Sequence, residues 1–259
     1  MQRPGALEPQ PTGAELAAAV AERELLRLFG MPRGRRLEGE LRERVDRARA
    51  WYAAHGRPFS TSRRVPLAGL EADEVALEGG VTLRCRSLAE SLRSAGAHAV
   101  AVLAVSAGRE VAAEVKALWA RECPDEAYVL DRLAAAVAEA LVLRASGSSC
   151  RDASRAGETL LRVHAPGCSD FDLADQQRLM AVLGAIPGAE GRVALGAIEL
   201  LPTGALDPPQ SLLAAAGLTR ERLPAASPED LCRGCALDPC GFRRAPFASR
   251  AGVRAPMLD

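Results

Sequence analysis

Apolar residues first recur at a helical period. Leu16, Val20, Leu25, Leu26 and Phe29 form one stripe, and Gly30 with Pro32 stops it, which predicts a single helix from Ala14 to Phe29. A second stripe, Leu41, Val45, Ala48 and Trp51-Tyr52, predicts a helix from about Leu37 to His55, closed by Gly56-Arg57-Pro58. The pattern then turns extended over Ser60 to Val65 and Glu74 to Leu83, with Gly79-Gly80 as a hairpin turn. Ser87 to Gly96 reads as a short helix. Ala99 to Val105 is the longest unbroken apolar run, seven residues, which suits a central buried strand and falls far short of a membrane span.

After the turn Ser106-Ala107-Gly108, a helix is predicted from Arg109 to Glu122 and a longer, alanine-rich one from Asp125 to Arg144. Residues 145 to 158 are polar, with glycine and serine, and read as a loop. Thr159 to His164 reads as a strand. Asp172-Leu173-Ala174-Asp175 has the form of an N-cap with an acid three residues on, opening a helix to about Leu183. Arg192 to Leu201 reads as a strand, and Pro208 to Ala216 and Thr219 to Leu223 as short helices. Ser227-Pro228-Glu229-Asp230 is a helix start that puts Cys232 and Cys235 on one face. Helices and strands mix without strict βαβ alternation, which predicts an α+β domain over 14–226. A loose tail, 1–13, precedes it and a cysteine-rich tail, 227–259, follows.

Composition narrows the function classes. With 33 basic and 33 acidic residues in 259, the chain is neutral, which argues against a nucleic-acid or anionic-membrane surface. Arginine supplies nearly all the positive charge, Lys116 being the lone lysine; that reflects base composition more than function. The N-terminus lacks a signal-peptide pattern, so a cytoplasmic location is expected. In a reducing compartment the seven cysteines are thiols or metal ligands. Three of them, Cys232-x2-Cys235-x4-Cys240, have the spacing that lets thiolates converge on zinc or an iron–sulfur cluster, although both usually take four ligands. No Ser/His/Asp set, Walker loop or Gly-x-Gly-x-x-Gly supports a hydrolase, nucleotidase or dehydrogenase.

Several segments, in order, resemble the activation domain of vitamin B12-dependent methionine synthase, and more closely the free-standing proteins built from that domain alone. They are Leu25 to Gly30, Ala99 to Val111, Ala138-Glu139-Ala140-Leu141, Ala165-Pro166-Gly167-Cys168-Ser169-Asp170-Phe171 with Gln176-Gln177, and the tail from Cys232 to Arg244. The resemblance spans about residues 14 to 244. It implies a C-shaped single domain with a twisted antiparallel sheet flanked by helices. It also implies an S-adenosylmethionine site and a part in reductive remethylation of oxidised cobalamin. The chain has no Asp-x-His-x-x-Gly motif, so the corrinoid would be held in trans by a cobalamin protein or methionine synthase, with an electron donor such as flavodoxin.

The resemblance assigns cofactor contacts to Glu139, Arg162, Ala165, Pro166, Gly167, Cys168 and Asp170. Val163 stands where the family carries an arginine, and Cys168 where it carries a tyrosine. Arg162 takes the arginine's part only if the strand slips, because adjacent strand residues face opposite ways. Each assignment has a plainer counterpart. Glu139 is otherwise a solvated helix-face acid, Arg162 a surface residue, and Asp170 a cap of the next helix. His164 pairs with Cys168, ligates a metal or is structural. Ser106 and Gly108 form an anion-binding helix start or a plain turn. Cys85, Cys123 and Cys150 are ordinary thiols, and Arg243 and Arg244 are solvated or meet an acidic partner. The expected function is an S-adenosylmethionine-binding accessory of corrinoid methyl transfer. The alternative is a non-catalytic metal- or cluster-binding module that kept the fold and lost the cofactor.

Overall fold

Eight consecutive residues, Ala99–Ser106, are buried and form the strand around which the protein is arranged. In the computed structural model, the described residues are 10–32, 34–168, 170–223, 232–233 and 243–246. Among them the chain runs α1 (Gly13–Ala19), α2 (Glu22–Leu28), α3 (Gly39–His55), β1 (Phe59–Leu70), β2 (Glu74–Leu77), β3 (Val81–Arg84) and α4 (Arg86–Ser94). It continues through β4 (Ala99–Ser106), α5 (Arg109–Ala120), α6 (Pro124–Arg155), β5 (Thr159–His164) and α7 (Asp175–Val182). Four short strands, β6 (Ile186–Pro187), β7 (Val193–Leu195), β8 (Ile198–Leu200) and β9 (Leu206–Asp207), precede β10 (Ser211–Thr219).

The main sheet has the order β3-β2-β1-β4-β10-β5, and every pairing in it is antiparallel. A smaller antiparallel sheet has the order β6-β7-β8-β9. The α+β class is therefore as expected. Strand periodicity explains how β4 serves two cores. Val100, Val102 and Ala104 pack with Leu88 and Leu92 of α4 and Leu179 and Met180 of α7. Ala99 and Ala101 pack with Ala153 of α6, and Val105 joins a cluster containing Leu133, Val137 and Leu141 of the same helix. So α6 covers one face, and α4 with α7 covers the other.

Several sequence expectations need correction. The predicted helix from Ala14 to Phe29 is two, broken at Val20. The Arg49 guanidinium donates to the carbonyls of Ala17 (2.9 Å) and Val20 (2.8 Å), satisfying the end of α1 from outside. Thr12 and Glu15 close a reciprocal capping box on α1. Gln10, in the tail expected to be loose, pairs with both backbone groups of Ser60 at 2.8 Å. Arg192 to Leu201 is a hairpin, turning at Gly196 with φ 57°.

The predicted loop 145–158 is mostly helix, since α6 continues to Arg155. Local glycine and serine lose to packing here: Ala153 is buried among Ala99, Ala101, Leu160, Ala216 and Leu218, with Cys150 alongside. Gly147 lies within this helical stretch, and a Cβ there would meet only Arg151 Nη1 at 3.7 Å. Gly147→Ala is expected to raise stability by about 0.5–1 kcal/mol, seen as a higher urea midpoint.

The largest correction concerns Pro208 to Ala216 and Thr219 to Leu223, predicted as helices. Ser211–Thr219 is a strand, inserted between β4 and β5. Its alanines favour a helix in isolation. In place they are small side chains between two helical layers, with Leu213 and Ala215 facing the α4 side and Ala216 and Leu218 facing α6.

Candidate functional site

The motif turn begins where β5 leaves the sheet. On β10, Ala215 and Ala216 pair with His164 and Val163, but Leu218 pairs with Leu160, so β5 carries one extra residue around Leu161 and Arg162. This bulge resets which side chain faces which way. Val163 packs on the α6 face with Ala216, and Leu161 packs on the α4 face. Arg162 turns to that second face, its Nε donating to His164 Nε2 at 3.1 Å.

Beyond His164 the chain folds into a compact turn. Cys168 N donates to Ala165 O (3.1 Å), Phe171 N to Cys168 O (3.2 Å) and Gly167 N to Phe171 O (2.8 Å). Gly167 has φ 82°, which favours glycine, and a Cβ on it would also crowd Leu173 Cδ2 at 3.1 Å. Phe171 anchors the turn in the core. Asp170 does not cap the next helix, as the plainer reading had it. Its Oδ2 accepts from Ser87 N at 2.8 Å, capping the start of α4 instead. The next helix also starts later than expected, at Asp175, after a turn in which Asp172 Oδ1 accepts from Ala174 N. Asp175 is fully buried; its carboxylate accepts from Arg84 N at 3.0 Å and from the Arg178 guanidinium.

Behind the turn runs a buried polar chain. A guanidinium only donates, so His164 Nε2 accepts from Arg162 and Nδ1 carries the ring proton. Nδ1–H then donates to Ser87 Oγ (3.3 Å), and the Ser87 hydroxyl donates to Cys85 Sγ (3.4 Å). Burial, with the Arg162 charge beside it, brings the His164 pKa down to about 4 against the pull of Asp170. Both ring nitrogens are engaged within the protein, which is the structural role among those weighed for His164. Burial also pushes the Cys85 thiol up, so it is an unreactive buried cysteine.

A cleft opens in front of the turn. It has a volume of about 210 Å³ and is lined by Pro166, Leu173, Gln176, Pro209, Leu212 and Leu213 among others. Gln176 Nε2 donates to Gly204 O at 2.9 Å, holding α7 to the loop before β9. Ligand pockets typically measure about 300–1,000 Å³, so this cleft is smaller than most. Cys168 is exposed beside Gly167. At the same end of β10, Ser106 Oγ accepts from Gly108 N (3.1 Å) and from Ser211 Oγ (2.9 Å), so the hydroxyl serves the strand-to-helix turn.

Glu139 lies on α6, the opposite face from Arg162, so the structure does not bring these two together. Nor is Glu139 a solvated acid. It pairs with Arg27 of α2 and with Arg244 from the C-terminal tail, while Glu24 pairs with Arg27 (3.1 Å) and Arg244 (2.5 Å). Arg244, expected to be solvated or to meet a partner, is therefore docked on this chain, its side chain 17% exposed. Arg243 Nη1 donates to Cys232 O (2.9 Å), Arg244 N donates to Cys232 Sγ (3.2 Å), and Ala245 is buried. Cys235, Cys240 and the helix start at Ser227 lie outside the described residues, and among the described residues no three candidate ligands cluster.

The sequence did not reveal that Ser87 holds the turn through Asp170, that Asp175 ties α7 to Arg84 at the end of β3, or that Arg27 and Arg244 pair with Glu139. Glu24 and its partner Arg244 are 220 residues apart, so no local pattern links them.

No family model matches the chain, and no curated protein matches it. Among solved structures, the chain is similar to the crystal structure of the MetH reactivation domain bound to AdoHcy. The TM-score is 0.61 at 13% sequence identity, covering 83% of this chain and 79% of that one. At that identity the likeness establishes a shared fold. No helix among the described residues is long and apolar enough to cross a membrane.

Proposed function

We propose that this chain belongs with the free-standing methionine synthase activation domains and acts as an accessory protein of corrinoid methyl transfer. It binds S-adenosylmethionine, or the demethylated product, and supports reductive remethylation of cobalamin held by a partner methyltransferase such as methionine synthase. The observation that carries this reading is the cleft, which is walled by Pro166 of the quoted motif, in a fold shared with a domain solved bound to AdoHcy. In this reading Ala165, Gly167 and Cys168 flank Pro166 on the cleft side of the turn and Glu139 is the acid for the ligand's ammonium group, as the resemblance implies. Arg162 and Asp170 are positioning residues in this reading: one fixes the His164 tautomer and the other ties the turn to α4.

S-adenosylmethionine supplies an electrophilic methyl on a sulfonium centre. The chain's own residues need only orient that group and exclude water, which requires no general acid or base. An electron donor such as flavodoxin would serve the partner's cobalt. Titration calorimetry of the purified protein is expected to give saturable binding of S-adenosylmethionine and S-adenosylhomocysteine. Absence of binding by both overturns the proposal.

A second reading has one observation in its favour, the N–H of Arg244 directed at Cys232 Sγ. Hydrogen bonds to sulfur are among the features that tune iron–sulfur thiolates, so Cys232, Cys235 and Cys240 would hold zinc or a cluster. In that case the chain is a metal-binding interaction module. Metal analysis with a visible spectrum after anaerobic purification checks this. A colourless, metal-free protein that binds S-adenosylmethionine sinks it.

A further inference from the structure

The cleft beside the motif turn is lined by prolines and leucines, with two polar exceptions, Gln176 and Ser211; among the described residues no charged one lines it. Both exceptions are more than nine-tenths buried, Gln176 at 7% exposure and Ser211 at 5%. Neighbours fix what each can offer. Gly204 O only accepts, so the Gln176 amide nitrogen is turned to it at 2.9 Å and the amide oxygen points elsewhere. No donor among the described residues meets that oxygen. Ser211 shares a face of β10 with Leu213, on the side of α4 and α7. Its hydroxyl gives its proton to Ser106 Oγ at 2.9 Å and keeps its lone pairs. The cleft therefore holds buried acceptors that wait for a donor, in apolar walls.

We infer that this cleft is an adenine subsite in which Gln176 reads the base, and that the charged methionine end of the ligand lies outside it. The inference rests on the reading that the chain takes S-adenosylmethionine. A sulfonium, ammonium or carboxylate placed in this lining would lose water and gain no charged partner. The base is flat and uncharged, and its exocyclic amine supplies the missing donor. A primary amide matches adenine at two points, its oxygen accepting from the exocyclic amine and its nitrogen donating to a ring nitrogen. Gln176 has a second N–H beyond the one given to Gly204. Because Gly204 holds the amide one way round, an oxygen in place of the amine would face the Gln176 oxygen, acceptor against acceptor. The size agrees: an apolar cavity of about 150 Å³ holds benzene, so a cleft of about 210 Å³ takes one heterocycle and not a whole cofactor.

The test is titration calorimetry on the full chain with S-adenosylhomocysteine and S-inosylhomocysteine, in which a carbonyl replaces the amine, for the wild type, Gln176→Met and Gln176→Glu. The wild type is expected to prefer the adenosyl ligand about tenfold to a hundredfold, as for a buried polar group left unmet by the other. Both variants lose the N–H donated to Gly204 O, so a difference between them belongs to the acceptor. Gln176→Met is expected to bring the two ligands within about threefold, and Gln176→Glu, which keeps an acceptor oxygen, to retain a preference of about tenfold. Circular dichroism and the melting temperature report whether each variant is folded. If the wild type binds both ligands equally, the subsite is wrong. If both variants keep the preference, or both lose it, Gln176 does not read the base and the inference falls. A wild type that binds neither ligand overturns the proposed function and takes the subsite with it; one that binds both without discrimination overturns the subsite alone.

Discussion

Replacing Gly217 by valine is expected to lower stability by about 3 kcal/mol, the upper end of what overpacking costs. Gly217 lies on β10 opposite the bulge in β5, and a Cβ there would come within 2.4 Å of Leu92 Cδ2 and 2.7 Å of Leu161 Cδ1. Both are ends of flexible side chains. Alanine is accommodated with a smaller loss, about 1 kcal/mol, whereas a branched side chain displaces α4 from the sheet. Urea unfolding of the two variants measures this. An unchanged midpoint in Gly217→Val would show that this position is not packed between Leu92 and Leu161 as the strand places it.

A second large effect comes from His164. Its pKa lies near 4 in the folded protein and near 6.5 in the unfolded chain. Above pH 6.5 both states hold neutral imidazole and the residue contributes no pH dependence. As pH falls from 6.5 towards 4, the unfolded state takes up a proton that the folded state refuses, so stability is lost. Each factor of ten in proton affinity is about 1.4 kcal/mol, so the loss approaches about 3 kcal/mol by pH 4 and then levels off. The groups facing the ring are Arg162, Ser87 and Asp170; only the carboxylate of Asp170 opposes the shift. Glu158 and Glu199, whose carboxyls arginine neighbours hold below the usual range, lose their contribution only at lower pH. Between pH 6.5 and 4.5 the slope therefore reports His164. His164→Gln, whose amide has both a donor and an acceptor, is expected to flatten that slope in denaturant titrations. A slope unchanged by the substitution would show that the ring titrates normally.

Much of the fold was legible in order. The central strand at Ala99, the hairpin at Gly79-Gly80, the strand ending at His164 and the helix ending at His55 all lie where periodicity and turn residues put them. Each bears a local signature: a continuous apolar run, paired glycines at positive φ, a Gly-x-Pro stop, or, after His164, Ala165-Pro166-Gly167. The misreadings share one cause. Residues 145–155 carry helix-weakening residues and are helical, while Ser211–Thr219 carries helix-favouring residues and is a strand. In both, the decision came from neighbours distant in sequence: the end of α6 packs on the alanine face of the sheet, and β10 pairs with both β4 and β5.

The candidate site divides along the same line. The turn from Ala165 to Asp170 was readable because proline, glycine and a capping acid have local conformational meaning. The partners of its charged residues were not. Asp170 caps a helix that starts at Arg86, Arg162 is turned by a one-residue bulge, and Glu139 is met by Arg244 across 105 residues. The sequence by itself determined the element types that local periodicity and turn chemistry specify, together with the motif that marks the cleft. Only the tertiary structure decided strand insertion, side-chain facing and ion pairing, because those energies depend on which surfaces meet and how far each charge is withdrawn from water.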